Sequence, residues 1–119
     1  MTDAEQLVQT QLDAYNRKDI DGWLATYADD AAQYSTDGEL LAQGKTQMRD
    51  NMTIRFQEPD LYAELLNRMV CDEVIIDHEL ITRNFPEGKG TVEMLCIYHI
   101  EQGRIQKGKF KLFNKQITK

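Results

Sequence analysis

The side chains best suited to acid–base chemistry near neutral pH in this 119-residue sequence are its two histidines, His78 and His99. His78 stands between Asp77 and Glu79, a triplet that raises the question of a metal site. Successive side chains of a strand point to opposite faces of the sheet, so the two carboxylates cannot share one ion with His78. We therefore predict no metal site at this triplet, and we take His78 as the candidate catalytic residue.

The two cysteines, Cys71 and Cys96, lack the spacing of metal ligands, and no activating partner for Cys96 is visible. We predict reduced thiols in a cytoplasmic protein.

The net charge of −6 argues against nucleic acid as a partner. No stretch is long and apolar enough to span a bilayer, so no membrane association is expected. With 41% hydrophobic and 29% charged residues, the chain is typical of one globular domain over residues 1–119.

Three helices are predicted in the first half of the chain. The capping box of Thr2 and Glu5 starts the first, which ends at Asn16. Its apolar stripe includes Gln11, which either bonds a nearby backbone group or lines a pocket. Asp19 is a suitable N-cap for a second helix over residues 20–28, which would place Trp23 and Tyr27 on one face. A third helix follows Gly44 and ends at Phe56. Short strands are predicted at residues 32–35, 40–42, 73–83, 91–100 and 105–113, and the pattern of residues 62–70 fits a helix as well as a strand.

The last two strands form a predicted hairpin. A three-residue loop, Glu101-Gln102-Gly103, would pair Ile100 with Arg104 and place Glu93 opposite Lys111. One face of this predicted hairpin carries Met94, Cys96, Tyr98, Gln106, Gly108 and Phe110. A two-residue loop would shift the register and exchange the partners.

The residues around the first two helices carry a family resemblance, which also favours a strand over residues 62–70. The residues Asn16, Asp19, Asp21-Gly22, Tyr27 and Asp29-Asp30-Ala31, with Gly44 before the third helix, resemble the nuclear transport factor 2-like superfamily, which includes ketosteroid isomerase and the SnoaL-like polyketide cyclases. The resemblance implies an α+β, cone-shaped fold. Three N-terminal helices would pack in a curved, mixed, mostly antiparallel sheet that encloses a pocket.

The resemblance also implies which residues line that pocket. Besides His78, they are Gln11, Tyr15, Trp23, Tyr27, Ser35, Met52, Leu80, Met94, Cys96, Tyr98 and Phe110. On the strand with His78, the inner face would be Ile76, His78, Leu80 and Thr82, unless a bulge reverses it. The outer face would then carry Ile75, Ile81, Leu95, Ile97 and Ile105. Members of the superfamily often dimerise through this face, so the resemblance implies a homodimer.

Function is less constrained by the resemblance than fold is. The positions of the tyrosine, the aspartate base and the protonated aspartic acid of ketosteroid isomerase fall on Gln11, Ser35 and Cys96, and none of them matches. We therefore expect a small-molecule-binding domain. It would be a cofactor-independent isomerase, cyclase or dehydratase acting on a small hydrophobic carbonyl compound, with His78 as acid–base. The alternatives are a non-catalytic ligand-binding protein and a dimeric interaction protein on the same fold.

Overall fold

The secondary structure follows the predicted order of elements. The computed structural model describes residues 1–118. The elements are α1 (Asp3–Arg17), α2 (Ile20–Ala25), β1 (Tyr27–Ser35), β2 (Leu40–Gln43), α3 (Gly44–Arg55), β3 (Tyr62–Cys71), β4 (Val74–Phe85), β5 (Gly88–Glu101) and β6 (Arg104–Ile117). No helix in this range is long and apolar enough to cross a membrane.

The predicted caps hold the first two helices. The Thr2 hydroxyl accepts a hydrogen bond from the backbone N–H of Glu5 at 3.0 Å, and Asp19 accepts one from Gly22 at the same distance. These bonds satisfy backbone donors that a helix start leaves free. Helix α2 is three residues shorter than predicted, and Tyr27 begins β1. Its ring still packs on Trp23, with 4.8 Å between the ring centroids.

The six strands form one curved, open sheet in the order β2-β1-β6-β5-β4-β3. The pair β1 and β6 is parallel, and the other four pairs are antiparallel. Helix α1 packs on β3 and β4, and α3 packs on β1 and β2, so the helices cover one face of the sheet. The mixed, mostly antiparallel α+β architecture predicted from the sequence is confirmed. The core lies between this inner face and the helices.

The predicted inner face of β4 is wrong. Asp77 pairs with Cys96 and Glu79 pairs with Met94, and residues directly opposite in an antiparallel pair share a face. Cys96 lies on the inner face as predicted, so the odd-numbered residues of β4 face the helices. Ile75 and Ile81, predicted on the outer face, are therefore buried inside. His78 and Leu80, predicted inside, lie on the outer face.

The predicted register of the β5–β6 hairpin is also wrong. The observed loop has two residues, Gln102 and Gly103, and Ile100 pairs with Ile105. A bulge beyond this pair leaves Gln106 without a partner residue on β5, which reverses the alternation of β6. Ile105, predicted outside, is consequently buried on the inner side. Glu93 lies opposite Phe113 instead of Lys111.

Candidate functional site

A cavity of about 600 Å³ lies between the helices and the inner face of the sheet. Nine of the twelve residues that the sequence predicted for a pocket line it: Gln11, Tyr15, Trp23, Tyr27, Ser35, Met52, Met94, Tyr98 and Phe110. They come from α1, α2, β1, α3, β5 and β6. Most are apolar or aromatic, and a few polar groups among them are typical of a small-molecule site.

The other three predicted residues lie elsewhere. Leu80 is on the outer face, and Cys96 is fully buried on the inner side without lining the cavity. His78 is also on the outer face, where its Nε2 lies 2.7 Å from Glu93 Oε1 and its ring stacks on Phe113. The sheet separates it from the cavity. The prediction that His78 lines the pocket is therefore wrong.

The carboxyl group in the cavity belongs to Glu79, which the sequence did not single out. Its residue is only 3% exposed, and it lines the cavity from the middle of β4. Burial, together with the nearby charge of Asp77, raises the pKa of Glu79 to about 7. The Cys96 thiol and the Arg68 guanidinium act in the opposite direction without cancelling this rise. A carboxyl group with such a pKa can both donate and accept a proton near neutral pH.

A buried ion pair lies beside Glu79. Asp77 is fully buried, and Arg68 binds both of its carboxylate oxygens, with Nε–Oδ1 2.7 Å and Nη2–Oδ2 3.0 Å. The third contact of Arg68 is a 2.9 Å hydrogen bond from Nη1 to Gln9 of α1. Arg68 reaches the inner face because a bulge at Leu66 reverses the alternation of β3. The Asp77 carboxylate is thus held close to Glu79, and Arg68 compensates the charge of Asp77.

Neutral hydroxyl groups complete the polar lining. Burial raises the pKa of Tyr15, Tyr27 and Tyr98 well above the usual value for a tyrosine, so all three stay protonated. Gln11 donates a hydrogen bond to the Tyr27 hydroxyl at 3.3 Å, so the amide that stood out in the helix stripe has a side-chain partner at the cavity wall. Protonated tyrosines can donate hydrogen bonds to an oxygen that becomes negative during a reaction.

Two arginines line the cavity beside a single carboxylate. Arg83 of β4 binds Glu58 through Nε and Nη2, at 2.8 and 2.9 Å. Arg55, the last residue of α3, lies 3.3 Å from the same carboxylate. Burial raises the pKa of Glu58, but hydrogen bonds from Arg83 and the Asn84 backbone outweigh this effect. The net pKa of Glu58 is lowered, so its carboxylate stays ionised.

The described residues offer no obvious metal centre. Within residues 1–118, no group of three or more histidine, cysteine, aspartate or glutamate side chains is placed to hold an ion. Both cysteines are free thiols: Cys71 is exposed, and Cys96 is buried. Burial, together with the charge of Glu79, raises the pKa of the Cys96 thiol, so this sulfur is a poor nucleophile.

Solved structures share this fold at low sequence identity. An uncharacterised cystatin-fold protein from Novosphingobium aromaticivorans is 21% identical, with a TM-score of 0.84 over 93% of this chain and 98% of that one. An NTF2-like protein of unknown function from Burkholderia pseudomallei is 17% identical, with a TM-score of 0.83 over 95% and 92% of the two chains. A computationally designed 17-OHP binder is 17% identical, with a TM-score of 0.78 over 96% and 99%. No curated protein sequence matches the chain.

The architecture is thus that of the NTF2-like superfamily, as the hallmark residues near the N-terminus implied. The SnoaL-like domain family matches residues 8–107, which is most of the chain. This protein therefore belongs to the SnoaL-like domain family. The family assignment defines the fold, whereas the reaction depends on the residues of the site.

Proposed function

We propose that the cavity binds a small hydrophobic carbonyl compound and that Glu79 moves a proton on it without a cofactor. The observation that carries this proposal is a buried carboxyl group, with a pKa near 7, in the wall of a mainly apolar cavity. Structural ion pairs can also shift a pKa, but Glu79 lines a space large enough for a ligand. Glu79 replaces His78 as the proposed acid–base residue.

The chemistry follows from the charge states of the lining groups. The ionised Glu79 takes a proton from the carbon next to the carbonyl group, and the electrons of that C–H bond form an enolate. A neutral tyrosine hydroxyl, from Tyr15 or Tyr27, donates a hydrogen bond to the enolate oxygen. Protonated Glu79 then returns the proton. Return to the same carbon regenerates the ketone or inverts a stereocentre there, and return to another carbon of a conjugated enolate yields an isomer. Near pH 7 both forms of Glu79 are populated, so one residue serves both steps.

The size and composition of the cavity support a compact, mainly apolar ligand. Among the solved structures with this fold is the designed 17-OHP binder, which supports a ligand site in this architecture. A space of about 600 Å³ is within the usual range for drug-sized ligands. We therefore expect fused-ring ketones to be suitable probes.

Exchange of the α-protons of 2-tetralone in D₂O tests the proposal without knowledge of the natural substrate. We expect the protein to accelerate loss of the α-proton NMR signal, and Glu79→Gln to reduce this acceleration about 10²–10⁴-fold because the base is removed. His78→Gln is the matched control and should exchange at the wild-type rate. Binding is followed separately through the indole N–H of Trp23, the only tryptophan, which lines the cavity.

The outcomes separate the two main functions. Equal exchange by Glu79→Gln and the wild type would exclude Glu79 as the base. Binding of 2-tetralone without any acceleration by the wild type would favour a non-catalytic ligand-binding protein. A wild-type rate that depends on His78 instead would restore the histidine hypothesis.

A second copy of this chain stays the predicted partner for the outer face of the sheet. Leu95 and Ile97 lie there opposite His78 and Ile76, and Phe113 is 38% exposed. Apolar side chains framed by charges are typical of a contact surface. We expect Ile97→Asp to halve the mass measured by light scattering, because it buries a charge in the interface. Thr53→Asp on α3 is the control, and a monomeric wild type would contradict the prediction.

A further inference from the structure

The arginines at the cavity carry one more positive charge than their carboxylate neutralises. Arg55 and Arg83 both pair with Glu58, and within residues 1–118 neither forms an ion pair with another carboxylate. Arg83 donates hydrogen bonds to Glu58 from two nitrogens, whereas the closest contact of Arg55 is its Nε, 3.3 Å from Glu58 Oε2. In the same part of the chain we find no hydrogen bond from the terminal nitrogens of Arg55. This guanidinium therefore has free donors on a cavity-lining side chain.

The surroundings of Arg55 favour an added anion. Burial and the neighbouring charge of Arg83 lower the pKa of Arg55, which means that its positive charge is under-compensated where it stands. An anion placed between two guanidinium groups would relieve this repulsion. A guanidinium fork matches the two oxygens of a carboxylate, and one excess charge matches a monovalent group.

Apolar side chains also lie at the opening of the cavity. Leu41 and Ile54 line the cavity and are 45% and 69% exposed, so the opening presents hydrocarbon beside the arginines. Glu79 lines the same cavity, and Tyr15 lies within electrostatic range of Glu79, Arg55 and Arg83. The cavity thus has a cationic part, an apolar part and a proton-transfer group.

We infer that the ligand is an amphipathic acid, whose carboxylate pairs with Arg55 and Arg83 while its apolar body fills the cavity beside Glu79. This inference rests on the proposed function, because it assigns a substrate class to the same site. The carboxylate would stay at the rim, where the side chain of Arg55 is 39% exposed. It would thereby orient the reacting carbon toward Glu79.

The test compares 2-naphthylacetate with 2-naphthylacetamide, which differ in charge and hardly in shape. Binding is measured by calorimetry at pH 7.5, and the shift of the Trp23 indole N–H checks that each compound enters the cavity. We expect the wild type to bind the acid about tenfold more tightly than the amide, as one partly buried charged pair gives. Arg55→Gln should remove this preference and leave the affinity for the amide unchanged.

Arg49→Gln is the matched control. It lies on the same helix and pairs with the exposed Asp21, and it does not line the cavity. It should keep the tenfold preference. Equal affinity of the wild type for acid and amide would overturn the inference and leave the proposed function intact. If neither compound shifted the Trp23 signal, neither would enter the cavity, and this result would overturn both the inference and the proposed function. If Arg55→Gln weakened both compounds equally, the arginine would have only a structural role, which also overturns the inference.

Discussion

Arg68→Met is expected to lower the free energy of unfolding by about 3–5 kcal/mol, because it leaves the Asp77 carboxylate buried without a counter-charge. Arg68 binds both oxygens of Asp77, and the two side chains are 7% and 0% exposed. Water therefore cannot solvate the orphaned carboxylate in the folded state. Urea unfolding at pH 7, followed by circular dichroism, measures the loss.

The double variant Arg68→Met/Asp77→Leu separates the cost of the orphaned charge from the value of the pair. Apolar side chains of similar size can replace a buried pair with little loss, so we expect most of the stability to return. Arg49→Met controls for an exposed pair with Asp21 and should cost less than about 1 kcal/mol. A loss of that small size in Arg68→Met would mean that Asp77 is solvated, contrary to its burial here.

Glu79→Gln should stabilise the protein at alkaline pH and change its dependence on pH. The pKa of Glu79 is about 7 in the folded state, against 4.5 for an unperturbed glutamate. The folded state therefore binds the proton more tightly than the unfolded state. Stability from this group is complete below about pH 4.5 and is lost as the pH rises through 7. The total loss is about 3 kcal/mol, since one pKa unit corresponds to about 1.4 kcal/mol.

Unfolding measured in urea at pH 5 and pH 9 checks this linkage. The advantage of Glu79→Gln over the wild type should grow by about 2–3 kcal/mol between the two values, because glutamine has no proton to lose. Glu64→Gln, which removes an exposed glutamate from β3, is the control for net charge. Cys96, Tyr15, Tyr27 and Tyr98, which face Glu79 from other elements, stay protonated at neutral pH since burial raises their pKa values. Parallel curves for wild type and Glu79→Gln would show that Glu79 is solvated.

The same substitution links the two parts of the argument for Glu79. If Glu79→Gln is more stable at high pH and inactive in proton exchange, the strain of holding a carboxylate in the cavity is what makes it a base. If only the stability changes, the raised pKa is a structural consequence of burial beside Asp77. Measuring both properties on one pair of proteins therefore distinguishes a catalytic from a structural carboxyl group.

Local features of the chain were predictable from the sequence. The caps at Thr2 and Asp19 depend on contacts over three residues, and both are present in the structure. Most helices and strands follow from patterns of similar range, whereas β3 was assigned through the superfamily that the hallmark residues indicated. The inner face of β5 was also predicted correctly through the family resemblance: Cys96 and Tyr98 are buried, and Leu95, Ile97 and His99 on the other face are only partly buried.

The inner face of β4 could not be read in this way. Both sets of alternating residues contain apolar side chains, Ile75 and Ile81 in one, Ile76 and Leu80 in the other. The two acids were taken for surface residues and the histidine for a pocket residue, which is the reverse of what is observed. The one available signal was that Ile75 and Ile81 flank the two acids on the same face. The opposite face carries an equally apolar pair, Ile76 and Leu80, so this signal did not decide between the faces.

What the sequence determined by itself was the class of fold, since that depends on local patterns and on family hallmarks. The tertiary structure alone decided which acidic group enters the cavity. Asp77 can be buried because Arg68 comes from a neighbouring strand, turned inward by a bulge at Leu66. Glu79 has its raised pKa because the folded chain buries it and places it near the charge of Asp77. Strand register, ion pairing and burial join residues far apart in the chain, and no local pattern contains them.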